Sequence, residues 1–463
     1  MRRSATIRRS DWAPNLSGCE GPLFEAIARC IAEDIDEGRL SVGDHLPTQR
    51  ALAERIGMDV TTVARGYAEA ARVGLVEARV GAGTFVRSSR GRSSFGDRRT
   101  DLADRSMNQP PDVQDAGLVA RMQRSMEGLG DSLHQLLRYQ PSGGVTQDKA
   151  AITDWLTRRG ILVDRHSLLI TAGAHAAISA VLSVLLQPGD CIACESITYP
   201  GLRKIAKTLR ASLHGLPHDA HGIDPAALDS AIRRRNVRAL YLNPTIRNPT
   251  TETIPLARRA EIIQVARRHG VAIIEDDAYG FLPVNPPPAM AMMAPELTYY
   301  ITGLAKCLGP GLRIAGLLTP NEMGIDDVAD SLRAVSVMAS PITSALASAW
   351  INSGLADAVL ADIRAESRAR RRLLLEAIPQ EFVQSTDYAF HAWVTLPESL
   401  RCHEVVNLTR GYALGAVAAD EFCVGDETPN AFRLCLGGPA TREEACRAID
   451  VIAAALEPIT TGS

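Results

Sequence analysis

Residues 299–319 read YYITGLAKCLGPGLRIAGLLT. Two apolar runs with the length of buried strands flank a short glycine-rich loop, and the loop carries Lys306. The chain holds four lysines, Lys149, Lys204, Lys207 and Lys306, against 46 arginines. Arginine therefore serves wherever a surface cation suffices, and a lysine between two apolar strands points to a task arginine cannot perform. Arginine keeps its proton, whereas a desolvated lysine gives its proton up and becomes an amine able to form a Schiff base with an aldehyde. Seven residues on, Arg313 follows a Pro310-Gly311 turn and offers a planar fork suited to phosphate. On this stretch alone, a strand-loop-strand with one exposed lysine is the competing interpretation.

Working outward, LLITAGAHAAISAVLSVLL (168–186) passes from strand to helix across Gly173, Ala174 and His175. Free amides at a helix start, with the helix dipole behind them, make an anion site. VAIIEDDAYGFL (271–282) ends its apolar run in Asp276, Asp277 and Tyr279. A carboxylate at the end of a buried strand is costly unless paired. Asp276 therefore calls for a cationic partner, and Asp277 is expected to cap a turn. VRALYLNPTIRNPTTET (237–253) runs from a strand into a proline-rich loop containing Asn248. CIACESITYPG (191–201) supplies a strand, two thiols on opposite faces and Tyr199. Helices are expected near 321–338, 341–353 and 355–377, leading to AFRLCLGG (431–438) with Arg433. HGLPHDAHG (214–222) reads as a loop; its three histidines lack the further ligands a zinc site requires, and no metal is expected.

The first hundred residues have a different character. They hold 16 arginines, no lysine and 13 acids, net +3, whereas the remainder carries a net −6. A basic head on an acidic body suggests an anionic partner for the head. Leu23, Ile27, Ile31 and Ile35 recur at helical spacing. Thr48 can cap a second helix, QRALAERI, which Gly57 closes, and VTTVARGYAEAARVG follows as a third. Two short helices joined by a glycine turn, the second with Thr61, Thr62 and Arg65 facing outward, suit a major groove. LVEARVGAGTFV (75–86) reads as a hairpin around Gly81, Ala82 and Gly83. A small helical protein-interaction module is the alternative. Residues 88–111, SSRGRSSFGDRRTDLADRSMNQPP, are too poor in apolar side chains to fold alone and read as a flexible connector spanning up to roughly 80 Å.

With 46% hydrophobic and 22% charged residues, the rest of the chain is expected to fold into large cores. The longest nearly apolar run, 176–186, is too short to span a bilayer, and MRRSATIRRSDW lacks the apolar core of a signal peptide, so no membrane association is expected. Nine cysteines scattered through the chain suit a reducing cytoplasm better than a disulfide framework.

The pattern strand, x-x-Lys306, Leu-x-Pro-Gly-Leu-Arg-x-Gly is similar to the cofactor-lysine segment of class I/II aminotransferases of fold type I, and the likeness runs over residues 112–463. Residues 15–87, through LPTQRALAERIG, TTVARGY and GAGTFV, resemble a GntR-type winged helix. Together they resemble the MocR-type subfamily of GntR transcriptional regulators. The fold so implied is a multidomain α+β and α/β chain: a winged helix-turn-helix, a linker, and an aminotransferase-like body with a mainly parallel large sheet and a smaller α+β part. The resemblance implies pyridoxal 5′-phosphate as cofactor, joined to Lys306 through a Schiff base. Gly173, Ala174, His175 and Arg313 would hold its phosphate, with Tyr139 of the partner subunit, which implies a homodimer. Tyr199 would stack on the ring, Asp276 pair with its nitrogen, and Asn248 and Tyr279 hold its phenolic oxygen. Arg433 would clamp the carboxylate of an amino-acid effector. Thr48, Arg50, Thr61, Thr62, Arg65, Gly81 and Gly83 would contact double-stranded promoter or operator DNA.

Three departures stand out. Thr251 replaces the family's usual glycine, Gly303 and Ala305 stand where hydroxyl donors to phosphate are common, and Asp59 places a negative charge at the start of the third helix. Each missing hydroxyl forfeits about 1 kcal/mol of phosphate binding. The implied function is a cofactor-dependent transcriptional regulator in the cytoplasm. A working aminotransferase with an appended head, or a DNA-binding protein without cofactor, are the alternatives.

Overall fold

A computed structural model describes residues 12–16, 22–36, 39–40, 43–72, 75–79, 83–86, 107–320, 324–409, 412 and 414–460. The chain divides into two compact units between Ala103 and Asp104.

In the first unit, α1 (Leu23–Asp36), α2 (Gln49–Ile56) and α3 (Val60–Arg72) pack with a three-stranded antiparallel sheet. Its strands are β1 (His45–Leu46), β2 (Val76–Arg79) and β3 (Gly83–Val86), in the order β1-β3-β2. The helical spacing read from the sequence places Ile27 and Ile31 of α1 with Leu52, Val63, Tyr67 and Ala70 in one core. Gly66 permits this closeness, because a Cβ there would stand 2.9 Å from Ile27 Cβ. Thr48 accepts the Ala51 amide at 3.3 Å, and Gly57 ends α2 at φ 66°.

The second unit is built on a seven-stranded sheet. Its strands are β4 (Leu168–Thr171), β5 (Cys191–Glu195), β6 (Ser212–Leu216), β9 (Val237–Leu242), β10 (Ala272–Asp276), β11 (Thr298–Gly303) and β12 (Ala315–Leu318). A small hairpin of β7 (His218–Asp219) and β8 (Gly222–Ile223) lies between β6 and β9 in sequence. The sheet order is β4-β12-β11-β10-β9-β5-β6; all neighbours are parallel except β12, which runs against β11 and β4. Both faces of such a sheet are covered, hence the unbroken apolar strands such as AIIED. Cys194 joins the core on one face with Ile178, Val181 and Leu202; Cys191 joins the other with Leu240, Ile262 and Ile273. A smaller antiparallel sheet of β13 (Val383–Gln384), β14 (His391–Thr395), β15 (Gly415–Ala418) and β16 (Ala431–Cys435), ordered β13-β14-β16-β15, packs with helices Leu355–Ala377, Cys402–Leu408 and Arg442–Thr460.

Three sequence expectations need correction. The stretch 214–222 is not a loop: His214, Gly215 and Leu216 finish β6 by pairing with Ala193, Cys194 and Glu195 of β5, and His218–Asp219 pairs with Gly222–Ile223 as the β7-β8 hairpin. Asp277 caps no turn with its carboxylate. It is fully buried, accepts Tyr300 Oη at 2.8 Å and faces Arg159 Nε at 3.2 Å. The expected connector also ends earlier than Pro111: Asn108, Pro110 and Pro111 are buried in the second unit, because the polar Asn108 finds buried partners there. Among the described residues no single helix is long and apolar enough to cross a membrane.

Candidate functional site

The carboxyl ends of β4, β5, β9, β10 and β11 open on one side of the sheet, where doubly wound sheets bind ligands. After β4, Gly173 adopts φ 90° and opens the helix Ala174–Leu185. Here the glycine is required twice over, by its backbone angle and because a Cβ would lie 3.0 Å from Arg313 Nη2. Arg313, held in left-handed conformation at φ 52° after the turn Pro310–Leu312, brings its guanidinium beside Gly173 at the start of that helix. His175 is exposed beside them, and burial, Arg313 and Lys204 all depress its pKa. A helix start, a guanidinium and an imidazole converging in this way form an anion cradle.

Asp276 ends β10 and is buried. Its Oδ2 accepts Tyr241 Oη at 2.7 Å, while Oδ1 is buried with no hydrogen-bond partner. Desolvation lifts its pKa to about 6, against the lowering by the Tyr241 hydroxyl. A buried carboxylate oxygen left without a partner is a socket for a cationic N–H. Three residues past β11, Lys306 is half-buried with Nζ 5.9 Å from the Tyr279 ring centre. Burial, then the Arg433 charge, bring its pKa down to about 8.

Arg433 on β16 is 3% exposed, donates through Nη1 to Asn248 Oδ1 at 3.0 Å, and stacks 5.1 Å from the Phe422 ring. Asn248, preceding a cis proline, is fixed by its own amide, which donates to Asn243 Oδ1 at 2.9 Å. Thr251, the residue at the family's glycine position, does take a left-handed backbone, φ 69°, in full burial. Tyr199, half-buried, opens the helix Pro200–Thr208 next to this group. Burial and the Asp276 charge raise its pKa. The structure thus brings together Gly173, Ala174, His175, Tyr199, Asn248, Asp276, Tyr279, Lys306, Arg313 and Arg433. It does not bring Tyr139 to them: that side chain is 88% exposed. Gly303 and Ala305 line the loop without hydroxyls, as the sequence indicates.

Pyridoxal 5′-phosphate fits these residues. The Asp276 oxygen suits its pyridinium, the Gly173-Arg313 cradle its phosphate, and the Lys306 amine its aldehyde. Among the described residues no group of three or more His, Cys, Asp or Glu is placed to hold a metal ion.

Sequence reasoning missed Tyr241, Asn243, His391 and Asn108. Tyr241 reads as one more strand residue. His391 is buried, its Nε2 3.2 Å from Arg247 O, and burial drives its pKa down to about 3, so it stands neutral. Asn243 carried a signal in its Asn-Pro pair; Asn108 carried none, lying in a stretch of connector composition.

In the first unit, Arg50 is exposed in the first turn of α2, and Thr48 is exposed at its cap. On α3, Thr61 is exposed, Thr62 half-buried and Arg65 exposed with its guanidinium 4.2 Å over the Phe24 ring. Asp59 caps α3: its Oδ1 accepts the Thr61 amide at 2.7 Å and the Thr61 hydroxyl as well. Those bonds hold its carboxyl below the usual range. Gly83 has φ 110° and packs against the His45 ring, whereas Gly81 lies outside the described residues.

A fold type I aminotransferase body with a lysine-aspartate pocket, preceded by a winged helix-turn-helix, defines the class. The family model for aminotransferase class I and II matches residues 106–449, and that for bacterial regulatory proteins of the gntR family matches residues 23–86. The chain belongs to the class I and II aminotransferase family and has the MocR-like arrangement of that body behind a GntR head. It is 26% identical over 453 residues to the uncharacterized HTH-type transcriptional regulator YdeF of Bacillus subtilis (strain 168), covering 97% of each chain. In fold it is similar to an archaeal alanine:glyoxylate aminotransferase, with TM-score 0.69, 22% identity and coverage of 76% of this chain and 90% of that one. It is also similar to LysN, the α-aminoadipate aminotransferase of Thermus thermophilus, solved with N-(5′-phosphopyridoxyl)-L-leucine: TM-score 0.68, 21% identity, coverage 77% and 92%.

Proposed function

We propose that this protein is a DNA-binding transcriptional regulator whose body binds pyridoxal 5′-phosphate and, next to it, an amino-acid effector. The observation that carries this function is the pairing, in one chain, of a GntR head with a pocket whose Lys306 is desolvated and whose Asp276 keeps one buried oxygen without a partner. The cofactor, when bound, supplies an aldehyde for the Lys306 amine and a conjugated ring that draws electrons toward its protonated nitrogen.

The remaining work falls to this chain's own groups. Gly173 and Ala174 amides with Arg313 and His175 fix the anionic end. Asp276 Oδ1 accepts the ring N–H, and Tyr241 keeps that carboxylate oriented. Tyr199 covers the ring face, and Asn248 and Tyr279 direct N–H and O–H donors to the phenolic oxygen. Arg433, buried and already aligned by Asn248, offers its guanidinium to the carboxylate of the effector. Tyr139, largely exposed in a single chain, serves the pocket of a second copy, so the working form is a homodimer in the cytoplasm. Arg50, Thr61, Thr62 and Arg65 face the major groove and Gly83 belongs to the wing, with Gly81 beside it in sequence. The domains are the head at 15–87, the connector from 88, and the effector-binding and dimerising body to 463. Occupancy governs DNA binding only to the extent that ligands bind two postures of the protein unequally.

The test combines two measurements on the purified full chain. Titration with pyridoxal 5′-phosphate should produce a visible-range absorbance that Lys306→Ala abolishes. Binding to the DNA upstream of its own gene should change when the cofactor, and then a panel of amino acids, is added. Release of oxo-acid product from those amino acids at enzymatic turnover would instead identify a working aminotransferase.

A further inference from the structure

The function proposed above sends α3 into a major groove without saying which bases it reads. Among the described residues of the first unit, only two large apolar side chains are left exposed: Leu23 on α1, and Val60 at the first position of α3, 41% exposed. Val63, one position short of a full turn further on, is buried with Tyr67 and Ala70, so α3 completes its core face without Val60. Four and eight residues past Val60 stand Ala64, half-buried, and Ala68, exposed. That spacing sets the three side chains in one row on the helix surface. The row offers only methyl groups, with no donor or acceptor among its side chains. Val60 immediately precedes Thr61, and Ala64 precedes Arg65, so the row runs alongside the two residues assigned to the groove.

The polar groups around the row are occupied elsewhere. Asp59 Oδ1 accepts the Thr61 amide at 2.7 Å and the Thr61 hydroxyl too, so that hydroxyl donates to the helix cap. The Arg65 guanidinium lies 4.2 Å over the Phe24 ring of α1. Asp59 is itself exposed. An anion at a helix start offsets the dipole that would otherwise draw a phosphate there. The first turn of α3 is therefore ill suited to a backbone phosphate, and its largest outward side chain is apolar.

Of the four bases, only thymine carries an apolar group on its major-groove edge, the C5 methyl. A β-branched valine has few χ1 states open to it, so holding its methyls against another methyl sacrifices little conformational freedom. We infer that Val60, with Ala64 behind it, is a specificity-determining residue that packs against the C5 methyl of thymine, so that the operator carries thymine where the first turn of α3 enters the groove. This rests on the head being the part that binds DNA. It adds the class of base that the head selects, and the means: apolar contact in place of hydrogen bonds.

The test uses the purified full chain and two duplexes of the DNA upstream of its own gene, one containing thymidine and one with deoxyuridine in every thymidine position. The two differ only in C5 methyl groups. Mobility shifts should show the thymidine duplex bound more tightly, by about fourfold for each methyl packed against Val60, the value of one buried CH₂. Val60→Ala should lose affinity for the thymidine duplex and bind the deoxyuridine duplex nearly as the unaltered protein does, so that the preference falls toward one. Its log–log salt slope should stay as in the unaltered protein, because no phosphate contact is removed. Equal binding of the two duplexes by the unaltered protein overturns the inference while leaving the head as the DNA-binding part. A preference that survives Val60→Ala also overturns it, by placing the methyl contact on another residue. Binding to neither duplex sinks DNA recognition by the head, and the inference with it. Should Val60→Ala fail to fold, Val60→Ser removes the same methyls and should lower the same ratio.

Discussion

Tyr241 donates a 2.7 Å hydrogen bond to one oxygen of Asp276 and leaves the other oxygen buried without a hydrogen-bond partner. Burial pushes this carboxyl toward its neutral form and the Tyr241 hydroxyl opposes that push. Tyr241→Phe should therefore raise the Asp276 pKa above about 6 and weaken its hold on a ring N–H. A hydrogen bond to a charged acceptor is worth about 1.5 kcal/mol, or roughly tenfold in cofactor affinity. An absorbance titration at pH 7 measures it, and an unchanged midpoint would show that Asp276 needs no help from Tyr241.

Cofactor capture should depend on pH through Lys306. Its pKa is lowered to about 8, chiefly by burial. Below that value the nitrogen is an ammonium without a free pair, so the rate of colour development should climb about tenfold per pH unit and level off above about 8. A solvent-exposed lysine would keep the rate climbing to beyond pH 10. Stopped-flow absorbance across pH 6 to 10, with the cofactor's own ionisation measured separately, distinguishes the two.

The buried pair Arg159–Asp277, 3.2 Å apart and shielded from water on both sides, supports the strand end that carries Asp276. Removing one partner leaves the other charged and buried, so Asp277→Ala should cost about 3–5 kcal/mol. The double change Arg159→Met with Asp277→Leu should cost less than the single one. Thermal unfolding of the full chain reads both, and a single variant as stable as the parent would mean that water reaches the pair.

In the head, Asp59 accepts the Thr61 hydroxyl, so under the proposed groove assignment Arg65 would carry more of the contact than the sequence alone implies. Its guanidinium is exposed on α3 and oriented by the Phe24 ring. Arg65→Ala should weaken operator binding at least about tenfold. If Arg65 meets a phosphate, the log–log salt slope should also flatten by about one. Mobility shifts at several salt concentrations provide both numbers, and an unaltered affinity would move the DNA surface elsewhere.

Much of the fold was legible because periodicity and local chemistry agree. The helical spacing of Leu23, Ile27 and Ile31, the Thr48 cap with Gly57, and the apolar run into Asp276 each express one physical constraint in adjacent residues. The Lys306 loop stood out through scarcity, a lysine in a chain that otherwise chooses arginine. Asp277 was misread because a neighbour's role was inferred from chain position, whereas its partner Arg159 lies 118 residues away.

By itself, the sequence determined many of the helices and strands, that a basic head precedes an acidic body, and which side chains have the chemistry to hold a phosphate, an aldehyde and a carboxylate. Those properties reside in residue type and short-range spacing. Only the tertiary structure decided that Tyr241 braces Asp276, that Arg313 closes over Gly173, and that Asn108 lies between Lys306 and Tyr279. Each of these joins residues far apart in the chain. Such meetings depend on how strands are ordered in a sheet, which local periodicity does not encode.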